Sequence, residues 1–490
     1  MHTGHLFVLH AKIEAVQHDA AIVVSDHDFE PGSHWDQVIG ENRAASSEEW
    51  RGRGWGLIGP TNRAWVVSIN GCSDDYGVVL RRLETLLPAI RDDVGLSRTR
   101  KGHDLPLIAV PVIAIGEGGL ADSKGQVLRR LVDFLAEQAT RLDVDIALVT
   151  PDPSVYAAAQ YARKDLRDGL PEELRWKADS LGDQARNGQL ALLLGAGVSI
   201  PAGLPSWNEL IDDLAKRAGM PLPPSGVSQL SPTDQAAYIQ AHSREEFKDR
   251  IAEAVARIER ASLLHAMLGA LDCREVVTTN YDRLYEEVVK SSGREIVSVM
   301  PWKSERGAKR WILKLHGDIE YRDNIVLTRR DMVQFDALNR PSGSLLQSLL
   351  LTKHILFVGL SLTDDNIIRL AHEVQAHRET FQKEKPLDNF GTVLDVAGDR
   401  IRGSLWRGQI DWVDLHRTGD GIDYRTIELF LDRVAKTASR DSSWLLDTRF
   451  VGLLGDETDR ALVQQANELF SACRRMLIAS GHHSYAQCAS

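Results

Sequence analysis

Short apolar runs that end in glycine, serine, asparagine or aspartate recur along the chain in two groups. In the first group, Leu6–His10 (LFVLH), Ala20–Ser25 (AAIVVS), 64–70 (AWVVSIN), 106–116 (PLIAVPVIAIG) and Asp145–Thr150 (DIALVT) are rich in branched aliphatic residues. Runs of this kind predict buried strands. Between the last two, Lys124–Leu142 places Val127, Leu128, Leu131, Val132, Phe134, Leu135 and Ala139 at helical spacing, so the local order is strand, glycine loop, helix, strand. The second group comprises Leu190–Leu194 (LALLL), Glu275–Thr278 (EVVT), 311–315 (WILKL), His354–Val358 (HILFV), 392–396 (TVLDV) and 410–415 (IDWVDL), with a helix expected from Trp207. The pattern predicts two α/β domains, 1–170 and 180–435, and a helical tail over 440–490. A charged and mainly helix-compatible stretch, 161–188, punctuated by Gly169, Leu170 and Pro171, reads as their connection.

The residues at the strand ends carry the candidate chemistry, because an open parallel sheet gathers ligand groups at its carboxyl edge. Leu190–Leu194 runs into Gly195, Ala196, Gly197, Val198 and Ser199, where small residues let backbone amides approach a diphosphate and Ser199 adds a hydroxyl. A plain tight turn is the alternative. Glu275–Thr278 delivers Thr279, Asn280, Tyr281 and Asp282; Asn280 can hold a ribose or a water, and an Asx turn into the next helix is the structural reading. The third run delivers His316, whose ordinary titration suits proton transfer near neutral pH. The fourth delivers Gly359, Leu360 and Ser361, then Asp364 and Asp365. In the first domain, Gly116, Gly118 and Gly119 end a strand and serve either as a turn or as a regulatory nucleotide site.

Composition narrows the classes. A formal net charge of -11, from 69 acidic and 58 basic side chains, disfavours unspecific attraction to nucleic acid or an anionic membrane. The four cysteines, Cys72, Cys273, Cys473 and Cys488, contain no CxxC pair, which argues against a disulfide scaffold or a cysteine zinc module and fits a reducing cytoplasm. No run has the apolar length to span a bilayer. The stretch 221–243 is a proline- and serine-containing insertion, read as a lid over the ligand entrance or as a surface excursion.

GAGVS with AGLPSW, TTNYD, KLHGD and FVGLSLTDD occur in the order found in the SIR2 family, and this resemblance covers about residues 190–370. It implies a Rossmann-type parallel sheet that binds NAD; zinc is not expected here, for want of the cysteines that hold it in other members. By the resemblance, Gly195, Ala196, Gly197 and Ser199 line the NAD pocket, Asn280 and Asp282 flank the nicotinamide ribose, His316 is the catalytic base, and Gly359 and Ser361 contact the adenosine end. Departures shift the expected chemistry. Protein-deacylating members carry a four-cysteine zinc module, yet no cysteine lies between His316 and Cys473; Asn208 replaces a typical arginine and Thr279 a typical glutamine. NAD hydrolysis to nicotinamide and ADP-ribose, with a cyclised minor product, is therefore expected ahead of protein deacylation or of noncatalytic NAD or ADP-ribose binding. The resemblance is nearest to bacterial antiphage effectors, which implies a restraint on activity by the first domain, by homo-oligomerisation or by a partner such as an ATPase. Residues 110–152 of the first domain resemble macro-like nucleotide-binding domains, implying an ADP-ribose-type ligand, although VVSDHDF at 23–29 departs from that pattern.

Overall fold

The computed structural model describes residues 3–26, 28–73, 75–95, 102–114, 123–220, 230–243, 247–381, 388–416, 422–439 and 441–479. Its first sheet is built from β1 (Leu6–His10), β2 (Ala20–Ser25), β3 (Trp55–Gly59), β4 (Ala64–Ser68), β5 (Leu107–Pro111) and β6 (Asp145–Thr150), in the order β1-β6-β5-β2-β4-β3. All neighbours are parallel except β3, which runs antiparallel to β4 at the edge. Every residue of β1, β4, β5 and β6 is buried, as unalternating aliphatic runs demand. The predicted runs 64–70 and 106–116 are trimmed to β4 and β5, and the candidate glycines 116, 118 and 119 lie outside the described residues.

The second sheet contains β7 (Leu190–Leu194), β8 (Glu275–Thr278), β9 (Ser298–Met300), β10 (Trp311–Lys314), β11 (His354–Val358), β12 (Gly391–Asp395) and β13 (Ile410–Asp414). Its order is β13-β12-β11-β7-β8-β10-β9, parallel throughout. From β7 the chain adds β8, crosses to the edge as β9, fills the gap between them with β10, then returns to the other side of β7 with β11. That reversal opens a crevice at the carboxyl ends of β7 and β11, where open α/β sheets take their ligands.

The stretch expected as a connection is mostly helical: Glu172–Arg186 buries Ala178, Leu181 and Ala185 against the helix Arg425–Ala438. The latter also meets the first domain through charge. Arg425 grips both oxygens of Asp145 at 2.6 Å, Glu428 lies 2.7 Å from His103 Nε2, and Asp432 pairs with Arg163 at 2.7 Å and His5 at 2.9 Å. A second seam is backbone to backbone: Gln17 N–H donates to the Ala261 carbonyl at 2.8 Å and Ala261 N–H to Ala15 at 2.9 Å. The tail turns back to the first domain, where Ser443–Leu446 and Thr448–Leu453 pack on Pro153–Ala162 and Lys124–Leu142, and the helix Glu457–Ala479 follows. No described helix is long and apolar enough to cross a membrane.

Candidate active site

Four neighbouring strands, β11, β7, β8 and β10, deliver their polar ends to one cleft of about 750 Å³. Ala196, Ser199, Asn280, Asp282, His316, Gly359 and Ser361 all line it. Gly195 and Gly197 do not face it; they hold the backbone turn against Gly359. A Cβ on Gly197 would sit 2.6 Å from Gly359 Cα, and Gly359 itself has φ +70°. Gly197 N–H donates to the Gly359 carbonyl at 2.9 Å, so the two loops are laced together.

Asn280 is fixed from its amide end. Its Nδ2 donates to the Gly195 carbonyl at 3.1 Å and to Ser199 Oγ at 3.0 Å, and Ser199 Oγ donates to Asp282 Oδ2 at 2.8 Å. Asp282 Oδ1 accepts from Leu284 N–H at 3.1 Å, so this carboxylate braces the loop from within while lining the cleft. The segment 279–282 thus makes an Asx turn at Asp282 and also lines the cleft. Tyr281 is structural: its hydroxyl donates to the Val326 carbonyl at 2.8 Å and burial raises its pKa well above the usual phenol range.

Two participants, His265 and Lys314, were not picked out from the sequence, and a third, Asp364, was named there without a role. His265, in the helix Leu263–Ala270, lies with Nε2 3.3 Å from Ser199 Oγ and Nδ1 2.9 Å from Ser262 Oγ. Burial lowers its pKa to about 4, so it is a neutral brace near pH 7. Lys314, concealed in the apolar run WILKL, is buried and donates to the Asp282 carbonyl at 2.6 Å while pairing with Glu286 at 2.9 Å and Asp318 at 2.5 Å. Burial alone would depress this ammonium, but its two carboxylates outweigh burial and hold its pKa above the usual value. It ties the β8 loop to β10. Asp364 stands 2.8 Å from His316 Nε2; burial would raise its carboxyl, yet His316 and the N–H groups of Asn366 and Ile367 bring it below the ordinary range. The signal for Asp364 was its place five residues beyond Gly359 at a strand end; nothing local pointed to His265 or Lys314.

The cleft wall also carries Asn208, Trp207 and Arg329. Arg329 is paired with Asp234 of the helix Pro232–Ser243, which places the second half of the insertion at the cleft mouth; residues 221–229 lie outside the described set. Among the described residues no group of three or more His, Cys, Asp or Glu side chains is arranged to hold a metal ion.

Residues 274–393 match the model of the SIR2-like domain. The NAD(+) hydrolase ThsA of Acinetobacter baumannii (strain 532279) is 24% identical over 210 residues, 42% of this chain and 43% of that protein. The NAD(+) hydrolase ThsA of Bacillus cereus (strain MSX-D12) is 26% identical over 203 residues, covering 39% of this chain and 41% of the relative. Defense-associated sirtuin 2 of Bacillus subtilis is 26% identical over 209 residues, 41% of this chain and 21% of that protein. The chain thus spans less than half the length of each of these relatives. Among solved structures, a Sir2 enzyme chain aligns over its full length with 55% of this chain at 12% identity and a TM-score of 0.32. A part of this chain is thus similar to a SIR2-like domain and to bacterial NAD(+) hydrolases.

Proposed function

We propose that this chain hydrolyses NAD to nicotinamide and ADP-ribose, and that it acts in antiphage defence by depleting NAD. The observation that carries the reading is the convergence of Asn280 and His316, from adjacent parallel strands, in a cleft walled by the laced glycine loops of β7 and β11. The similarity to NAD(+) hydrolases supports it independently.

The chemistry follows from what NAD needs. Its nicotinamide ring nitrogen is cationic, so cleavage of the ribose C1′ to nitrogen bond sends the bonding pair to the ring and leaves an oxocarbenium-like sugar. A water oxygen adds to C1′ and gives up one proton. In this reading, Asn280 places the water or the ribose, His316 takes the proton directly or through a ribose hydroxyl, and Ser199 and Asp282 hold the loop that cradles the dinucleotide. Orientation and fixed dipoles lower the barrier without any redox step.

Asn280→Ala and His316→Ala are each expected to lose most NAD cleavage, about 10²- to 10⁴-fold for the base, while thermal unfolding stays near the parent. Nicotinamide release, measured with and without infected-cell lysate and with and without an acylated peptide, is the test. Strict dependence on the peptide would replace hydrolysis by deacylation; near-parental turnover in both folded variants would remove these residues from the mechanism.

Regulation in this reading falls to the amino-terminal domain, taken as a macro-like site for an ADP-ribose-type ligand, and to assembly with further copies or an ATPase partner in the cytoplasm. Support for the ligand comes from the carboxyl ends of its parallel strands; support for assembly comes from Leu462, Leu469 and Met476, exposed at seven-residue intervals on the tail helix. Calorimetry of ADP-ribose and NAD on the full chain, compared with a variant blocked at Asn280, separates a second site from the catalytic one.

A further inference from the structure

His316 has two ring nitrogens, and the structure distinguishes them. Nε2 lies 2.8 Å from Asp364 Oδ2, whereas Nδ1 has no partner among the described residues, and His316 lines the cleft. Asp364 is held in turn: its Oδ1 accepts Asn366 N–H at 2.8 Å and Ile367 N–H at 3.3 Å in the first turn of the helix Asp365–Phe381. Both side chains are largely withdrawn from water, at 7% and 15% exposure. The contact is one of ion-pair distance, and Asp364 Oδ2 is otherwise a buried oxygen without a hydrogen-bond partner among the described residues; an ionised carboxylate only accepts, so a hydrogen on Nε2 is the one within reach to serve it.

We propose that Asp364 is a positioning residue of this site: it pins His316 in the Nε2–H form, which makes Nδ1 the atom that takes the proton in the cleft. The inference rests on the NAD-hydrolase reading for its catalytic consequence, but the tautomer stands apart from it. When Nδ1 accepts the proton released by the attacking water, the resulting imidazolium faces a fixed negative charge, and that proton leaves to solvent with the products. The other charged groups nearby are already engaged: Asp318 by Lys314, Asp331 by the Thr328 hydroxyl at 2.7 Å, and Arg329 by Asp234.

Asp364→Asn is the sharpest variant, because asparagine keeps the volume and the helix cap. With its oxygen retained by the two N–H groups, its amide would present a donor to Nε2, and His316 would invert to the Nδ1–H form, removing the base. The full chain, labelled with ¹⁵N-histidine, is expected to show a protonated Nε2 and unprotonated Nδ1 for His316, its signals assigned by their loss in His316→Gln. In Asp364→Asn the pattern should invert, and kcat for nicotinamide release should fall at least about 10²-fold with KM little changed. Asp364→Glu should restore part of kcat and the parental tautomer. A purely structural pair would lower Tm and leave the tautomer in place. An Nδ1–H form in the parent, or an unchanged tautomer and kcat in Asp364→Asn, overturns the proposal. A parent that splits no NAD under any condition would sink the hydrolase reading, while the nitrogen shifts would still decide what Asp364 does.

Discussion

Glycines 195, 197 and 359 are held in place by backbone contact before any ligand arrives. Ideal Cβ atoms on Gly195 and Gly359 would each come within 2.5 Å of backbone atoms in the facing loop, the Gly359 carbonyl and the Val198 nitrogen respectively. The tight turn and the wall of the cleft are therefore one feature, since the close approach that excludes a side chain is what shapes the cleft. Gly359→Ala is expected to destabilise the protein by at least about 1 to 2 kcal/mol for the left-handed backbone alone, with a further penalty from the clash. Differential scanning calorimetry should show a Tm several degrees lower together with weaker NAD binding; an unchanged Tm would mean that the loops separate at little cost.

The segment from Ala261 through the helix Leu263–Ala270 links the domains to the site. Ala261 bonds to the backbone of Ala15 and Gln17, Ser262 Oγ donates to the Val198 carbonyl at 3.0 Å, and His265 braces Ser199. Ser262 also caps the helix in a reciprocal box with His265. Its sequence, LLHAMLGA, reads as an apolar helix and nothing more; the histidine acquires meaning only where β7 ends. Ser262→Ala should cost about 1 kcal/mol of stability from the lost cap. Because the same hydroxyl supports the loop proposed to cradle the dinucleotide, KM for NAD should rise by more than the stability loss explains, and a variant with parental KM would reduce this segment to scaffolding.

At the scale of the molecule, acid should loosen the joined domains. His18, in the seam beside Arg260, has its pKa lowered to about 3 by burial and by that guanidinium, and burial also lowers His10 and His265 to about 4. Below about pH 6.5 an unfolded chain protonates these histidines while the native state does not, so stability falls as pH drops from there toward their native values. Asp432 adds a second window: although burial opposes it, Arg163 and His5 hold its carboxyl far below the usual range, a contribution present above about pH 4 and lost on further acidification. Tm measured at constant ionic strength should decline from about pH 6.5 downward, and His18→Gln should flatten the upper part of that decline. A parental Tm that stays level from neutrality to about pH 5 would contradict this account. Arg163→Met at neutral pH should cost about 3 to 5 kcal/mol, because Asp432 would remain buried without its strongest partner.

Most strands were legible because burial on both faces writes itself locally, as unbroken aliphatic runs, and their polar ends mark the ligand edge of a parallel sheet. Edge strands β3 and β9 were not: the first carries two glycines in WGLIG and the second has only three residues, too little for a periodic signal. The sequence by itself determined the two-sheet organisation and the segments bearing Ser199, Asn280, Asp282, His316 and Gly359. Only the tertiary structure decided that Gly195 and Gly197 serve the turn, that Asp364 faces His316, that Lys314 anchors the β8 loop, and that Asp432 answers Arg163 across 269 residues of chain. The reason is physical: hydrophobic periodicity reports on neighbours along one element, whereas a buried charge or a close backbone approach is satisfied by whichever distant residue the packed sheets bring within about 3 Å.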